Sequence, residues 1–251
     1  MAGNVLFRLT DYERSRYNRQ MLISGWGEVS QLKLKKSSVF IAGAGGLGSP
    51  VSIYLAVAGV GEIKICDFDR IELSNLNRQI LYPDKKIGEL KAVSAEMTLR
   101  ELNPSINISK STDHLNPDNI DRIIGKPDVI VDCLDNFETR YLLNHYSITK
   151  HIPFVHGAVR GMSGQVTFLA PPETPCLRCV FPKAPPEEVS PILGATPGII
   201  GGIQAMEVVK FLTGIGPSLL GKLLIFDGEE MTFNTIGIDR RPSCQECGSI
   251  G

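Results

Sequence analysis

The chain has 251 residues, 43% of them hydrophobic, and a formal net charge of -1. That length suits one large α/β domain, or a nucleotide-binding domain with an appendage, and is enough to bury a sizeable core. The balanced charge excludes a uniformly basic surface for nucleic acid or anionic lipid, leaving only a local groove as a route to either, and no apolar run approaches the ~20 residues of a membrane span.

The N-terminus, MAGNVLFRLTDYERSRYNRQ, carries charge where a secretory signal needs an apolar stretch, so a cytoplasmic protein is expected. Residues 12–35 are polar with a helical apolar rhythm (Tyr17, Met21, Leu22, Leu32), which predicts short helices. SVFIA (Ser38–Ala42) predicts a strand, followed by GAGGLG (Gly43–Gly48) and a helix over 46–59. Glu62–Asp67 predicts a second strand, and Gly88–Leu102 a helix stopped by Asn103-Pro104. Ile106–Ser109 is a third strand, Asn116-Pro117 a helix start with proline in the first turn, Val129–Cys133 a fourth strand, and Phe137 the start of the next helix. Such alternation predicts a Rossmann-like, mostly parallel sheet with helices on both faces.

Beyond residue 150 the pattern changes. Phe154–Val159 and Gln165–Leu169 are strands around a glycine-containing turn, a helix is expected over 198–213, and Leu223–Asp227 and Met231–Ile236 form a hairpin through Gly228-Glu229. The expected fold is therefore α/β, continued by antiparallel strands in one chain: N-terminal helices over 1–36, a nucleotide-binding half over 37–150, and a second half over 151–251. The proline-rich stretch from Pro182 to Pro197 is a candidate mobile loop.

A strand–GxGxxG–helix order points backbone N–H groups of a helix N-terminus at an anion, and glycine lets a phosphate approach. Asp67 follows about 20 residues on, where its carboxylate can meet a ribose. These features alone fit a dinucleotide dehydrogenase. The downstream residues argue otherwise. Arg19 in RYNRQ, Arg78 in DFDRIELSNLNRQ and Lys91 in GELKA bring three cations, with Asp67 and with Asp135 in DCLDN, to the C-terminal strand ends or to segments that reach them. Nicotinamide has no need of that charge, whereas phosphoryl chemistry on a triphosphate does. An acid at a strand end suits magnesium. Singly, each has a plain structural role open to it: Arg78 as a partner of Glu72, Lys91 as a solvated helix lysine, Asp135 as the cap of the helix at 137.

These motifs together resemble the ThiF/MoeB/HesA group of ubiquitin-activating-like adenylyltransferases, from about Tyr17 to Cys247. The resemblance implies that Gly43, Gly45, Gly46 and Gly48 surround ATP, that Asp67 binds the ribose, and that Asn75, Arg78 and Lys91 contact phosphates. Asp69, Ser74 and Asn136 complete the nucleotide set, and Asp135 binds magnesium. Arg19 would reach across a homodimer into the partner's site, making Arg19, Arg78, Lys91 and Asp135 the catalytic set. The implied reaction adenylates the C-terminal glycine carboxylate of a ubiquitin-like sulfur-carrier protein ending in Gly-Gly, using MgATP and releasing pyrophosphate. A separate sulfur-donor protein then serves molybdopterin- or thiamin-type cofactor synthesis. Competing readings are an enzyme of the tRNA threonylcarbamoyladenosine dehydratase type, an NAD-dependent dehydrogenase, and a non-enzymatic partner subunit.

Of six cysteines, Cys176, Cys179, Cys244 and Cys247 form two CxxC pairs. Two such pairs predict a closed, structural four-thiolate zinc site, with a redox role for one CxxC as the competitor. Several relatives in the resembled family carry a further cysteine before the helix corresponding to 198–213. Val180–Pro197 has none, and Glu187 and Ser190 occupy that stretch. Cys66 and Cys133 lie inside apolar strand runs, where a thiol behaves as a small hydrophobe. The enzyme is therefore expected to stop at the acyl-adenylate. His114, His145, His151 and His156 are scattered and suggest no nucleophilic triad.

Overall fold

A computed structural model describes residues 8–186 and 191–249. The expected loop over 182–197 falls partly outside these residues, as do Glu187 and Ser190. One eight-stranded sheet runs in the order β3-β2-β1-β4-β5-β6-β7-β8. Its parallel part consists of β1 (Ser38–Ala42), β2 (Glu62–Cys66), β3 (Asn107–Ser111), β4 (Val129–Asp132) and β5 (Phe154–Arg160). The antiparallel part adds β6 (Ser163–Leu169), β7 (Lys222–Asp227) and β8 (Thr232–Gly237). Strands β1 and β4 are almost wholly buried because helices cover both faces there, so these runs are apolar throughout rather than alternating.

One core lies beneath α3 (Gly27–Lys36), α4 (Gly48–Ala58), α5 (Lys91–Leu102) and α9 (Ala195–Thr213). The other lies beneath α6 (Ile120–Ile124), α7 (Phe137–Lys150) and α8 (Leu177–Val180). The N-terminal helices α1 (Asp11–Arg16) and α2 (Asn18–Met21) are short, as the sequence predicts. A capping box between Thr10 and Glu13 starts the first of them. Tyr17 locks them down: its ring lies so close to Gly59 that a Cβ there would sit 2.6 Å from the ring carbon Cζ. Its hydroxyl accepts from Asn103 at 2.8 Å.

Two helices begin later than the sequence suggests. Gly88 adopts φ +88° and Leu90 forms a β-bridge with Arg70, so the chain stays extended and α5 starts at Lys91. At Asn116-Pro117 the asparagine Oδ1 accepts from the N–H groups of Asp118 and Asn119, closing a turn instead of a helix, and α6 waits until Ile120. No helix among the described residues is long and apolar enough to cross a membrane.

Candidate functional site

Strands β1, β2 and β4 end at one cleft of about 440 Å³. The glycine loop forms its floor. Gly43 has φ +96°, and a Cβ there would stand 2.6 Å from the Cys133 carbonyl oxygen. A Cβ on Gly48 would stand 2.0 Å from the Gly43 oxygen, so both glycines are demanded by backbone packing against the neighbouring turn. Gly43, Gly45 and Gly46 line the cleft, while Gly48 is behind its wall.

Asp67 stands at the end of β2. Its Oδ2 accepts from Ala44 N–H at 2.8 Å and its Oδ1 from Asp69 N–H at 2.9 Å. Burial pushes its carboxyl above the usual range, against the pull of those N–H groups and of Lys91. Lys91 is not the solvated helix lysine its sequence position allows: it is only 6% exposed and places Nζ 2.9 Å from Asp69 Oδ2. Keeping a lysine so desolvated costs free energy that one half-exposed carboxylate offsets in part. Arg78 also faces the cleft, and its partner is not Glu72. Nη1 donates to the Ser74 carbonyl at 3.0 Å and to Asn77 Oδ1 at 2.9 Å, so the guanidinium is parked on its own loop. Asp135 lines the opposite wall, exposed and without a hydrogen-bond or ionic partner among the described residues.

Asn136, not Asp135, caps α7, accepting from Thr139 N–H at 2.9 Å, and it too borders the cleft. Ser74 and Asn75 do not line it. Asn75 is buried and holds the turn before Arg78, its Oδ1 accepting from Glu72 N–H at 3.3 Å. Arg19 lies exposed on α2, away from the cleft of its own chain. The sequence thus brings Arg78, Lys91, Asp67, Asp69 and Asp135 to one place, and leaves Arg19 outside it.

Several residues escaped the sequence reading. Gln79 is buried at the cleft with Oε1 unpaired, and its Nε2 is 3.6 Å from where a Gly45 Cβ would be. An orphaned polar group beside a glycine loop fits a polar ligand such as a nucleotide phosphate or hydroxyl. Phe68 and His114 meet edge-on, centroids 4.7 Å apart, and give the cleft an aromatic end. Beneath the DCLDN turn, buried Asp132 binds His156 Nδ1 at 2.6 Å and Arg140 Nε at 3.2 Å. Arg140 also donates to the carbonyls of Leu134 and, at 3.1 Å, Gly157, clamping the turn that presents Asp135. No local pattern signals this trio: Arg140 comes from α7 and His156 from β5.

Away from the cleft, the four paired cysteines converge, every sulfur within 4.8 Å of the others. Cys179 and Cys247 stand 3.4 Å apart, Cys176 and Cys244 3.7 Å, Cys176 and Cys179 4.0 Å. A tetrahedron with zinc–sulfur bonds of about 2.3 Å has edges near 3.8 Å, so the donor set fits such a metal. The remaining thiols are buried. Burial pushes Cys66 up to about 12 and Cys133 well above its ordinary value.

Residues 17–247 match the ThiF family. Adenylyltransferase and sulfurtransferase MOCS3 of Drosophila sechellia is 43% identical over 255 residues, which cover 99% of this chain and 56% of that protein. The chain thus spans little more than half the length of that relative. Sulfur carrier protein adenylyltransferase of Thermus thermophilus is 40% identical over 252 residues, 96% of this chain and 93% of that protein. Among solved structures, E. coli MccB with AMPCPP and MccA superposes with a TM-score of 0.84 at 25% identity, covering 94% of this chain and 75% of that chain.

Proposed function

The chain belongs to the ThiF family, and from that premise we propose that it adenylates the C-terminal carboxylate of a ubiquitin-like sulfur-carrier protein. The observation that carries this reading is the convergence of Lys91, Arg78, Asp67 and Asp135 on one glycine-floored cleft. A buried lysine and an arginine there suit a triphosphate and have no use in hydride transfer.

In this reading the carrier carboxylate attacks the α-phosphorus of ATP, the bond from that phosphorus to the bridging oxygen breaks, and pyrophosphate departs. A carboxylate is already ionised near neutral pH, so no general base is needed, in keeping with the absence of a nucleophile–histidine pair around the cleft among the described residues. Positioning and charge neutralisation supply the acceleration. Asp67 holds the ribose while its own orientation is fixed by Ala44 N–H. Lys91 exchanges the Asp69 carboxylate for phosphate oxygens, and Arg78 swings from Ser74 and Asn77 to the same charge. Magnesium held at Asp135 would supply further neutralisation. Arg19, outside its own cleft, reaches the site of a partner protomer in a homodimer.

Zinc held by Cys176, Cys179, Cys244 and Cys247 is structural in this reading, a closed site without a position for water. With Val180–Pro197 free of cysteine and Cys66 and Cys133 buried, the chain stops at the acyl-adenylate and a separate protein supplies sulfur, in the manner of molybdopterin-type activation. The test is ATP–pyrophosphate exchange with a panel of small carriers ending in Gly-Gly. Exchange with at least one carrier is expected; exchange with none, together with NAD binding or RNA-dependent ATP use, would replace this reading by one of its competitors.

A further inference from the structure

The segment 191–197, which leads into α9, touches both halves of the site. On one side it is fastened to the β5–β6 turn: Gly161 N–H donates to the Pro191 carbonyl at 2.7 Å, and the Gly161 carbonyl accepts from Leu193 N–H at 3.1 Å and from the Thr196 hydroxyl at 3.0 Å. On the other side it presses against the loop of Arg78. A Cβ built on Gly194 would lie 2.1 Å from the Asn77 carbonyl oxygen and 3.6 Å from Arg78 Cα. A Cβ on Gly46 would lie 3.4 Å from both Arg78 Cγ and Pro197 Cβ, so the glycine loop faces the arginine stem and the first turn of α9 together.

Gly194 is not there for backbone freedom. Its φ of -58° and ψ of -29° are ordinary right-handed values open to any residue. What excludes a side chain is the Asn77 carbonyl group, its oxygen at 2.1 Å and its carbon at 3.2 Å from a built Cβ. Meanwhile, among the described residues, the Arg78 guanidinium is bonded within its own loop, to Ser74 and Asn77. A contact that fixes its backbone so closely therefore decides where its mobile head can reach.

We propose that Gly194 is a positioning residue for Arg78: its side-chain-free contact with Asn77 couples occupancy of the β5–β6 turn by the carrier tail to delivery of Arg78 onto the nucleotide phosphates. This deepens the proposed function and rests on it, since it takes Arg78 as a phosphate ligand; it adds the turn at Gly161 as the border of the tail's path, because Val159 and Ile192 beside that turn line the cleft. The tail, running as an extended strand past Gly161 and Leu193, displaces or tightens the segment. Gly194 passes that displacement to Asn77, and Arg78 leaves its resting partners.

The experiment measures AMPCPP binding with and without a ubiquitin-like carrier that supports exchange in the wild-type protein. Wild type should bind AMPCPP at least about fivefold more tightly when the carrier is present, the lower end of usual coupling. Gly194→Ala should bring that ratio to within about twofold of unity, with the affinity for AMPCPP alone unchanged. In exchange assays the loss should fall on kcat, on the ATP KM at saturating carrier and, reciprocally, on the carrier KM at saturating ATP, with carrier affinity in the absence of nucleotide preserved. Gly202→Ala, on the same helix with nothing within 4 Å of its Cβ position, should keep the wild-type ratio. Should Gly194→Ala not fold, Thr196→Val cuts the strap at its Gly161 end and should lower the ratio in its place. A folded Gly194→Ala, or Thr196→Val where that is the variant measured, with the wild-type ratio overturns the proposal. Absence of exchange in the wild type with every carrier instead removes the functional reading beneath it.

Discussion

His156 Nδ1 lies 2.6 Å from the Asp132 carboxylate, and neither side chain has any exposed surface. Burial alone would push Asp132 up, but the Arg140 charge and the His156 bond outweigh it and hold the carboxyl below its ordinary range. Burial pushes His156 down despite the carboxylate beside it. The resulting state is a neutral imidazole donating to an ionised carboxylate. An unfolded chain protonates His156 more readily than the native one, so stability contributed by the neutral form is lost as pH falls below the unfolded value of 6.5. Asp132, depressed in the folded state, adds stability above its unfolded value of 3.8 that is lost as pH falls through its lower folded one. Urea unfolding should show stability declining as pH falls below about 6.5, and His156→Gln, which keeps a neutral donor, should flatten that slope. An unchanged slope would show that other groups set it.

Arg140→Met should be far more damaging. It leaves the Asp132 charge buried with its countercharge removed, a loss of about 3–5 kcal/mol in a chemical unfolding curve at neutral pH. A loss under 1 kcal/mol would mean that the clamp is dispensable.

Arg19 and Asp135 can be tested as a pair. Each alanine variant alone should lose carrier-dependent pyrophosphate exchange by at least about a hundredfold, with melting temperature nearly unchanged because both side chains are exposed. Mixing the two dead variants under conditions that exchange subunits should restore about a quarter of wild-type activity, since only half of the sites in the mixed dimers receive both intact residues. No recovery would place Arg19 in its own chain's site or remove it from the chemistry.

The cysteine cluster makes a compositional prediction. Protein purified without chelator should carry about one zinc per chain, and Cys179→Ser or Cys247→Ser should lower both zinc content and melting temperature. Metal analysis finding no zinc in folded protein would leave the thiols as a redox pair or a packing unit.

Cys66 and Cys133 should be chemically quiet. Native protein should react slowly with a thiol reagent at both positions, and Cys133→Ala should keep exchange activity within about threefold of wild type. A reducible adduct between this chain and its carrier, trapped at Cys133, would contradict termination at the acyl-adenylate.

The parallel half was legible because its signals are local. SVFIA and VIVD are apolar runs whose burial on both faces follows from the alternation with helices, and the glycine loop declares a tight turn wherever it occurs. Misplaced boundaries arose where tertiary contacts overrode local preference: the Arg70–Leu90 bridge delays α5, and the Asn116 turn delays α6. In the site, Lys91, Arg78 and Asp135 stand in recognisable strings. Gln79 closes the same string as Arg78, but its importance lies in what is missing around it, and His156 stands in none, because its partner comes from another strand. Gly194 was invisible for a simpler reason: a glycine kept for clearance against Asn77 looks in sequence like any other loop glycine.

Strand β5 pairs with β4 in parallel and with β6 in antiparallel fashion, so one continuous hydrogen-bonded ladder joins the strands that end at the cleft to the antiparallel half. Such a ladder offers no hinge. In the proposed reaction the reactants would enter and leave through motions of loops and long side chains over a stationary platform, unlike in enzymes that swing two bodies together around them. Turnover should therefore be limited by local gating, and insensitive to anything that would act by prying lobes apart.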